Sequence, residues 1–286
     1  MDLDLSNFLA SFPYAVSTQR TYRDILSRIF ARSQDLANMT APNLLEILNE
    51  SKWGNSRQCV ALAAVQKFIA WKYGQSHPAL AAKLKRVRGK PQRALTPEVA
   101  LKLLASFDPY HSKGARDLAI CTLALDTGLR ASELCRLQLA DTDLDRRVLQ
   151  VIIKGGQWAA AVFSAQTAEH IRRWLNYRKA AKGSGFLFTN TFTGKGLTPE
   201  GLNQIVRQWG LVIGIKLSPH DLRRSFAMLA TELMGAPERI LMEGGRWSNS
   251  DMIQRYTRTL KLEAMRKYLP VSGLLGEGPP DGKIKS

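Results

Sequence analysis

Six side chains between residues 130 and 256 have the types that metal-free phosphoryl transfer needs. Two arginines can clamp the non-bridging oxygens of a phosphodiester, because those oxygens carry the charge of the transition state. A tyrosine phenol can attack phosphorus and hold the product as a covalent ester. A lysine near other cations can protonate the leaving oxygen. The six are Arg130, Lys154, His220, Arg223, Trp247 and Tyr256.

The motifs around these residues resemble those of the tyrosine recombinases, the phage-integrase and Xer-type family of site-specific DNA recombinases. Arg130 stands in TGLRASEL, and His220 and Arg223 stand in SPHDLRRSFA. Tyr256 follows Trp247 by nine residues, as in the family. The resemblance covers nearly the whole chain. It implies that the two arginines clamp a DNA phosphate and that Tyr256 is the nucleophile, with no metal or other cofactor.

Local signals place these residues on two helix starts. Gly128 can take the left-handed backbone that ends a helix, so that Arg130 begins the next one. Glu133 lies one turn further on and is expected to orient Arg130. The capped start SPHD places His220 and Arg223 at the positive end of a helix, which suits a bound phosphate.

The hairpin that carries the lysine departs from the family pattern. The alternating stretches VLQVII and WAAAVF flank a KGGQ turn and predict a β-hairpin with Lys154 at its tip. The family often writes this segment GKGxKxR. Here Ile153 precedes the lysine, and Gln157 and Trp158 take the usual basic positions. The assignment of Lys154 therefore rests on its place in the hairpin.

The segment before the tyrosine also departs from the pattern. Trp247 stands where most members have histidine, and its indole N–H can donate a hydrogen bond but cannot carry a proton. Proton transfer from Tyr256 is therefore expected to fall to His220. Arg246 stands where the family usually has glycine. Tyr268, twelve residues after Tyr256, is the rival nucleophile.

Composition indicates a folded protein that binds a polyanion. The 286 residues are 45% hydrophobic, and the net charge is +17. Residues 1 to 92 carry 13 Lys and Arg against 6 Asp and Glu, so both halves are basic. DNA or RNA is favoured over a membrane. The start MDLDL and the lack of a long apolar run predict a cytoplasmic location. The three cysteines are expected to be buried free thiols, and the histidines lack metal-ligand spacing.

The predicted fold is mainly α with a small β-hairpin, an α+β chain in two domains that form a C-shaped DNA clamp. Residues 1–84 resemble the family's helical core-binding (SAM-like) domain. Residues 96–272 are expected to be the catalytic domain and 273–286 a flexible tail. The basic linker, residues 85–95, is expected to touch DNA phosphates. Its basic residues are Lys85, Arg86, Arg88, Lys90 and Arg93.

Several helix details are also predicted. A helix capped by Ser17 should bury Tyr22, Ile25, Leu26, Ile29 and Phe30. A last helix of the first domain is expected within 77–87. A helix after Thr96 should bury Leu101, and one after Thr198 should end at Gly210.

The resemblance implies strand exchange through a Holliday junction by a homotetramer on two sites, with inverted-repeat double-stranded DNA as partner and possible accessory proteins. Integration, excision, inversion and dimer resolution stay open. Because the helical domain begins almost at residue 5, an extra N-terminal arm-binding domain is not expected. Two alternatives are a catalytically silent DNA-binding accessory protein and a type IB topoisomerase. A metal-dependent nuclease is disfavoured, because paired acidic residues are not evident.

Overall fold

A computed structural model of the chain describes residues 2–33, 35–87, 93–153, 156–179, 184–246, 265–266 and 268–275. The chain divides into two compact units, Met1–Pro91 and Gln92–Ser286. The division falls within the basic segment. The described residues are mostly helical and contain one three-stranded sheet, so the predicted α+β class is confirmed.

The first unit is helical, and its core is rich in aromatic and aliphatic side chains. Its helices are α1 (Asp2–Ala10), α2 (Val16–Phe30), α3 (Ala41–Glu50) and α4 (Asn55–Tyr73), followed by a single 3₁₀ turn, Pro78–Ala81. The stripe predicted on α2 is buried as expected. Phe68 of α4 packs edge-on against Phe8 of α1, with 5.4 Å between ring centroids.

Two predictions for this unit are wrong. Helix α2 begins at Val16 after Ala15, so Ser17 lies inside the first turn and does not cap it. Its backbone carbonyl accepts the Thr21 hydroxyl instead, at 2.9 Å. The helix expected within 77–87 is only the short 3₁₀ turn. Gln66 of α4 donates to the carbonyls of Leu80 and Ala82, which holds this segment as an irregular strap.

The second unit contains eight helices and one small sheet within the described residues. The helices are α5 (Pro97–Ala105), α6 (Ser112–Thr127), α7 (Ala131–Arg136), α8 (Ala165–Tyr177), α9 (Pro199–Ile213), α10 (Pro219–Met234), α11 (Glu238–Gly244) and α12 (Pro270–Leu274). The antiparallel strands are β1 (Thr142–Asp143), β2 (Val148–Ile152) and β3 (Trp158–Val162). The predicted hairpin is thus present as β2 and β3, with Ile152 opposite Trp158.

Helix α6 is the centre of this unit and is buried over nearly its whole length. Two of its acidic residues tie it to its neighbours. Asp117 pairs with Arg116 at 2.6 Å and accepts the Trp209 indole N–H of α9 at 2.9 Å. Asp126 accepts two bonds from Ser164 at the start of α8 and one from the Val271 N–H of α12. Buried polar groups need such partners, so these bonds fix the end of α6 in place.

Three further expectations for this unit need correction. Leu101 is 41% exposed, because it lies on the outer face of α5 while Leu103 and Leu104 point inward. Helix α9 runs through Gly210 and ends at the left-handed Gly214. Gly210 is instead a close-packing position, since an added Cβ would lie 2.5 Å from the Ile215 carbonyl oxygen. The expected tail, residues 273–286, begins inside α12, whose Leu274 is only 9% exposed.

The cysteines are free, but only two of them match the prediction. Cys121 and Cys135 are buried, whereas Cys59 is half-buried. The described residues contain no group of three acidic, histidine or cysteine side chains that could hold a metal ion. None of the helices in the described part of the chain combines the length and the apolarity that a membrane span requires.

Gly128 ends α6 with φ of +58°, and an added Cβ would lie 2.6 Å from Cδ1 of the buried Phe226. Gly128→Ala should lower the free energy of unfolding by about 2 to 5 kcal/mol, which combines left-handed strain with overpacking. Gly214→Ala is the matched control, because Gly214 has φ of +80° and nothing within 4 Å. It should cost only the strain, about 1 to 2 kcal/mol. Denaturant unfolding checks both, and equal losses would contradict the contact with Phe226.

Candidate active site

Arg130 stands immediately after the α6 turn, and a buried carboxylate holds its guanidinium. Glu133, one turn into α7, accepts the Arg130 backbone N–H at Oε2, 2.9 Å away. Its other oxygen, Oε1, accepts Arg130 Nη1 at 2.7 Å. The Glu133 side chain is 3% exposed, whereas that of Arg130 is 40% exposed. The carboxylate therefore holds one side of the guanidinium, and the Arg130 side chain stays partly exposed to solvent.

Arg223 reaches the same region from α10. Its side chain is buried, and its two terminal nitrogens donate to the backbone carbonyls of Gly128 and Gly245. These carbonyls lie just after α6 and α11. Because both acceptors are backbone atoms, the position of Arg223 depends on where these two helices end.

Arg246 contributes a third guanidinium that the sequence did not place in the site. Its Nη2 donates to the Thr127 carbonyl and its Nη1 to the Gly244 carbonyl, both at 3.0 Å. Nη2 also lies 3.8 Å from Glu133 Oε2. The Arg246 backbone has φ of +54°, the left-handed region that favours glycine. This conformation suits glycine, the residue that the resemblance led us to expect at this position.

His220 lies in the first turn of α10, next to this group of arginines. Ser218 and Asp221 close a capping box, in which Asp221 Oδ2 accepts the Ser218 N–H at 2.9 Å and its hydroxyl at 2.6 Å. Arg224 pairs with the other oxygen of Asp221 at 3.1 Å. The predicted start of α10 is therefore present. His220 is exposed there, and the N-terminal end of the helix favours an anion beside it.

The charges of the site set the protonation states of its members. Although His220 is exposed, partial loss of water around its ring lowers its pKa, and the charges of Arg224, Arg223 and Arg130 lower it further, which favours the neutral imidazole at pH 7. Burial and the neighbouring guanidiniums lower the pKa of Arg223 to about 10, which still leaves it charged. The site thus offers a neutral base beside fixed positive charge.

Glu133 is an anion despite its burial. Burial raises the pKa of the Glu133 carboxyl, but the two hydrogen bonds from Arg130 and the charges of Arg246 and Arg130 outweigh it. The pKa therefore lies below its ordinary value. Burial lowers the pKa of Arg246 to about 10 against the attraction of Glu133, so both partners stay charged at neutral pH.

The structure brings Arg130, Glu133, Arg223 and His220 together, and three other expected residues lie outside the described part of the chain. These are Lys154, Trp247 and Tyr256. The hairpin strands on both sides of Lys154 are described, and Arg246 is the last described residue before Trp247. Of the linker residues, Lys85, Arg86 and Arg93 are exposed. Arg88 and Lys90 lie outside the described residues.

Sequence reasoning missed the place of Arg246 and noticed only that it replaces a glycine. The arginine in place of glycine was the signal in the sequence that pointed to this role. A residue other than glycine in a left-handed backbone needs a contact that offsets the strain. One of these contacts, with the Thr127 carbonyl of α6, joins residues that are 119 positions apart in the sequence.

Two arginines fixed by buried acceptors, together with a neutral imidazole at a helix N-terminus, form a site that can hold and orient a phosphate group. The class that this fold and site define is a mostly helical domain with a candidate phosphate-binding site.

Comparison with known proteins identifies the family. The model of the phage integrase family matches residues 93–263. The tyrosine recombinase XerC of Corynebacterium efficiens is 32% identical over 269 residues, which are 89% of this chain and 86% of that protein. The tyrosine recombinase XerA of Pyrococcus horikoshii is 27% identical, over 91% of this chain and 90% of its own length.

Solved structures share the fold at lower identity. The Tn1549 transposon integrase in complex with circular intermediate DNA is 17% identical, has a TM-score of 0.69, and aligns over 96% of this chain and 97% of its own. The XerH site-specific recombinase bound to palindromic difH substrate is 20% identical, with a TM-score of 0.64 over 87% of this chain and 75% of its own. The chain belongs to the phage integrase family of tyrosine recombinases.

Glu133→Gln should destabilise the protein by about 3 kcal/mol at pH 7, because it leaves Arg246 buried without its counter-charge. The folded pKa of Glu133 is depressed, so its stabilisation is present above the unfolded value near 4.5 and is lost as pH falls through the folded value. The difference from wild type should therefore shrink in acid. Unfolding curves from pH 3 to 7 measure it.

Glu169→Gln is the matched control, because Glu169 forms an exposed pair with Arg172. It should change the unfolding free energy by less than about 1 kcal/mol at any pH. A Glu133→Gln loss that is as small as this, or that is constant with pH, would contradict the assignment of Glu133 as a buried anion.

Proposed function

We propose that this chain is a site-specific DNA recombinase that cleaves and rejoins DNA through a 3′-phosphotyrosine intermediate. The observation that carries the proposal is the pair formed by Arg130 and Arg223. One is held by Glu133 and the other by two backbone carbonyls, so both are fixed beside His220. Membership of the phage integrase family and the tyrosine recombinases among its relatives support the same reaction.

In the proposed step, the phenol oxygen of Tyr256 attacks the phosphorus of a DNA phosphodiester. The bond to the 5′ oxygen breaks, which leaves a 3′-phosphotyrosine and a free 5′ hydroxyl. Arg130 and Arg223 stabilise the charge that develops on the non-bridging oxygens. Attack by a 5′ hydroxyl of another strand reverses the step and rejoins the DNA. The phosphotyrosine stores the bond energy, so the reaction needs no nucleotide cofactor as an energy source.

Protons move through two other residues. His220 accepts the phenol proton of Tyr256, which its neutral state at pH 7 favours, since its pKa is lowered by burial and by the neighbouring arginines. Lys154, on the hairpin between β2 and β3, donates a proton to the leaving 5′ oxygen. Trp247 donates its indole N–H to a phosphate oxygen. Proton transfer and phosphate binding are thereby divided among different side chains.

The DNA partner is proposed to be a double-stranded core site with inverted repeats, contacted by both units. The net charge of +17 supports a polyanionic partner. XerH is described bound to a palindromic substrate and the Tn1549 integrase bound to circular intermediate DNA. We propose residues 1–84 as a core-binding domain, 85–95 as the linker and 96–272 as the catalytic domain. Four copies on two sites, with or without accessory proteins, would exchange the strands through a Holliday junction.

Tyr256→Phe should bind DNA as wild type does and form no covalent adduct, because the ring keeps its shape and loses the nucleophilic oxygen. Each protein is incubated in EDTA with a nicked duplex library of randomised sequence, and DNA that stays attached through SDS is sequenced. Wild type should give adducts that share one core sequence. Tyr268→Phe is the matched control and should give the same adducts.

The other outcomes decide between alternatives. Adducts retained by Tyr256→Phe and lost in Tyr268→Phe would move the nucleophile to Tyr268. Adducts without a shared sequence, together with relaxation of supercoiled DNA, would favour a type IB topoisomerase. Enrichment of DNA by binding, with no adduct from wild type, would favour a catalytically silent accessory protein.

Replacement of both Arg88 and Lys90 by Ala should weaken DNA binding and flatten its salt dependence. Each lost phosphate contact removes about one unit from the slope of log K against log salt, so the expected change is about two units. Binding measured between 50 and 200 mM salt gives the slope. Arg172→Ala is a control for lost positive charge, since Arg172 already pairs with Asp145 and Glu169. An unchanged slope in the double variant would mean that these two residues make no phosphate contact.

A further inference from the structure

Arg246 keeps a buried charged side chain on a strained backbone. Its side chain is 6% exposed, and its φ of +54° lies where side chains other than glycine are disfavoured. A buried guanidinium also loses its hydration. Two unfavourable features at one residue are tolerated only where the contacts of the side chain offset them.

The contacts of Arg246 run parallel to those of Arg223. Arg246 donates to the carbonyls of Thr127 and Gly244, and Arg223 donates to the carbonyls of Gly128 and Gly245. Two consecutive carbonyls at the end of α6 and two at the end of α11 therefore accept from two neighbouring guanidiniums. Arg223 and Arg246 together therefore link the end of α6 to the end of α11.

Arg246 also supplies a second positive charge to Glu133. Its Nη2 lies 3.8 Å from Oε2, while Arg130 donates to Oε1 and to Oε2 of the same carboxylate. The charged groups that act on Glu133 are Arg130 at the start of α7, Arg246 after α11 and Arg223 on α10. The ionisation of Glu133 and the orientation of Arg130 thus depend on Arg246.

We propose that Arg246 is a positioning residue for phosphodiester cleavage, which acts by holding Glu133 as an anion and by joining the ends of α6 and α11. Through Glu133 it orients Arg130, and through the shared helix ends it places Arg223. It does not touch the phosphate. This inference rests on the proposed recombinase function.

A structural role alone and a positioning role predict different pH profiles. Loss of the Arg246 charge raises the pKa of Glu133, because one of the charges that lower it is gone. Glu133 then takes up its proton at a higher pH and releases Arg130 there. Protonation of His220 slows the wild type and the variant alike in acid, so the readout is the ratio of the variant rate to the wild-type rate. This ratio should fall further as the pH is lowered through the raised pKa of Glu133. A variant that is only less stable would lose rate by the same factor at every pH at which it stays folded.

The test compares Arg246→Gly, Arg246→Lys and wild type on the DNA sequence that wild-type adducts select. Glycine suits the left-handed backbone, so Arg246→Gly removes the side chain without adding strain. Lysine keeps the charge and loses the two-pronged contact with the carbonyls. Arg239→Gln is the matched control, because it removes an exposed positive charge from α11, the helix that ends just before Arg246.

Arg246→Gly should form adducts about 10- to 100-fold more slowly at pH 7, with unchanged DNA affinity, and the ratio of its rate to the wild-type rate should fall further in acid. Arg246→Lys should be slower than wild type by a factor that does not change with pH. Arg239→Gln should match wild type at every pH. A wild-type rate for Arg246→Gly, or a slower rate whose ratio to wild type is constant with pH, would overturn the proposal.

Melting temperature against pH gives a second readout that needs no cleavage. Arg246→Gly should lose the stabilisation from Glu133 at a higher pH than wild type does, and in a Glu133→Gln background this difference should vanish. If wild type formed no adduct with any DNA, the proposed function would fail. The melting profiles would then still decide whether Arg246 holds Glu133 ionised, and identical profiles would overturn that part.

Discussion

The buried carboxylate of Glu133 is the interaction on which the rest of the site depends. It is 3% exposed and stays ionised because Arg130 and Arg246 surround it. An arginine at the start of a helix would otherwise sample many rotamers, and each would aim its donors differently. Because one edge of the Arg130 guanidinium is bonded to Glu133, the orientation of its other N–H donors is restricted. A site that must be complementary to a transition state requires this kind of preorganisation.

The fold positions this carboxylate by bringing together the end of α6, the start of α7 and the end of α11. Gly128 turns the chain after α6 so that Arg130 and Glu133 follow at once, and its carbonyl accepts Arg223 of α10. The end of α11 supplies the other carbonyl for Arg223. Asp126 fixes the last turn of α6 to α8 and α12. Packing in the core and the geometry of the site are therefore coupled through the last turn of α6.

Much of this arrangement follows from local sequence. The stripe on α2, the left-handed Gly128, the capping box at Ser218 and the β2–β3 hairpin were all predicted, because each depends on periodicity or on residues within one turn. Two of the differences arise from contacts beyond one helical turn. Gly210 stays inside α9 because the chain after the helix packs against it. The role of Arg246 depends on a carbonyl 119 residues earlier. Spacing alone carries no information about such contacts.

The most direct test of the account is to identify the atom that carries the DNA. Wild-type adducts, formed in EDTA and digested with protease and nuclease, are analysed by mass spectrometry for a peptide linked to a nucleotide. The expected product is a 3′-phosphonucleotide on the oxygen of Tyr256, in the peptide that follows Arg246 and Trp247. A nucleotide on Tyr268, or a linkage through a 5′ phosphate, would contradict it.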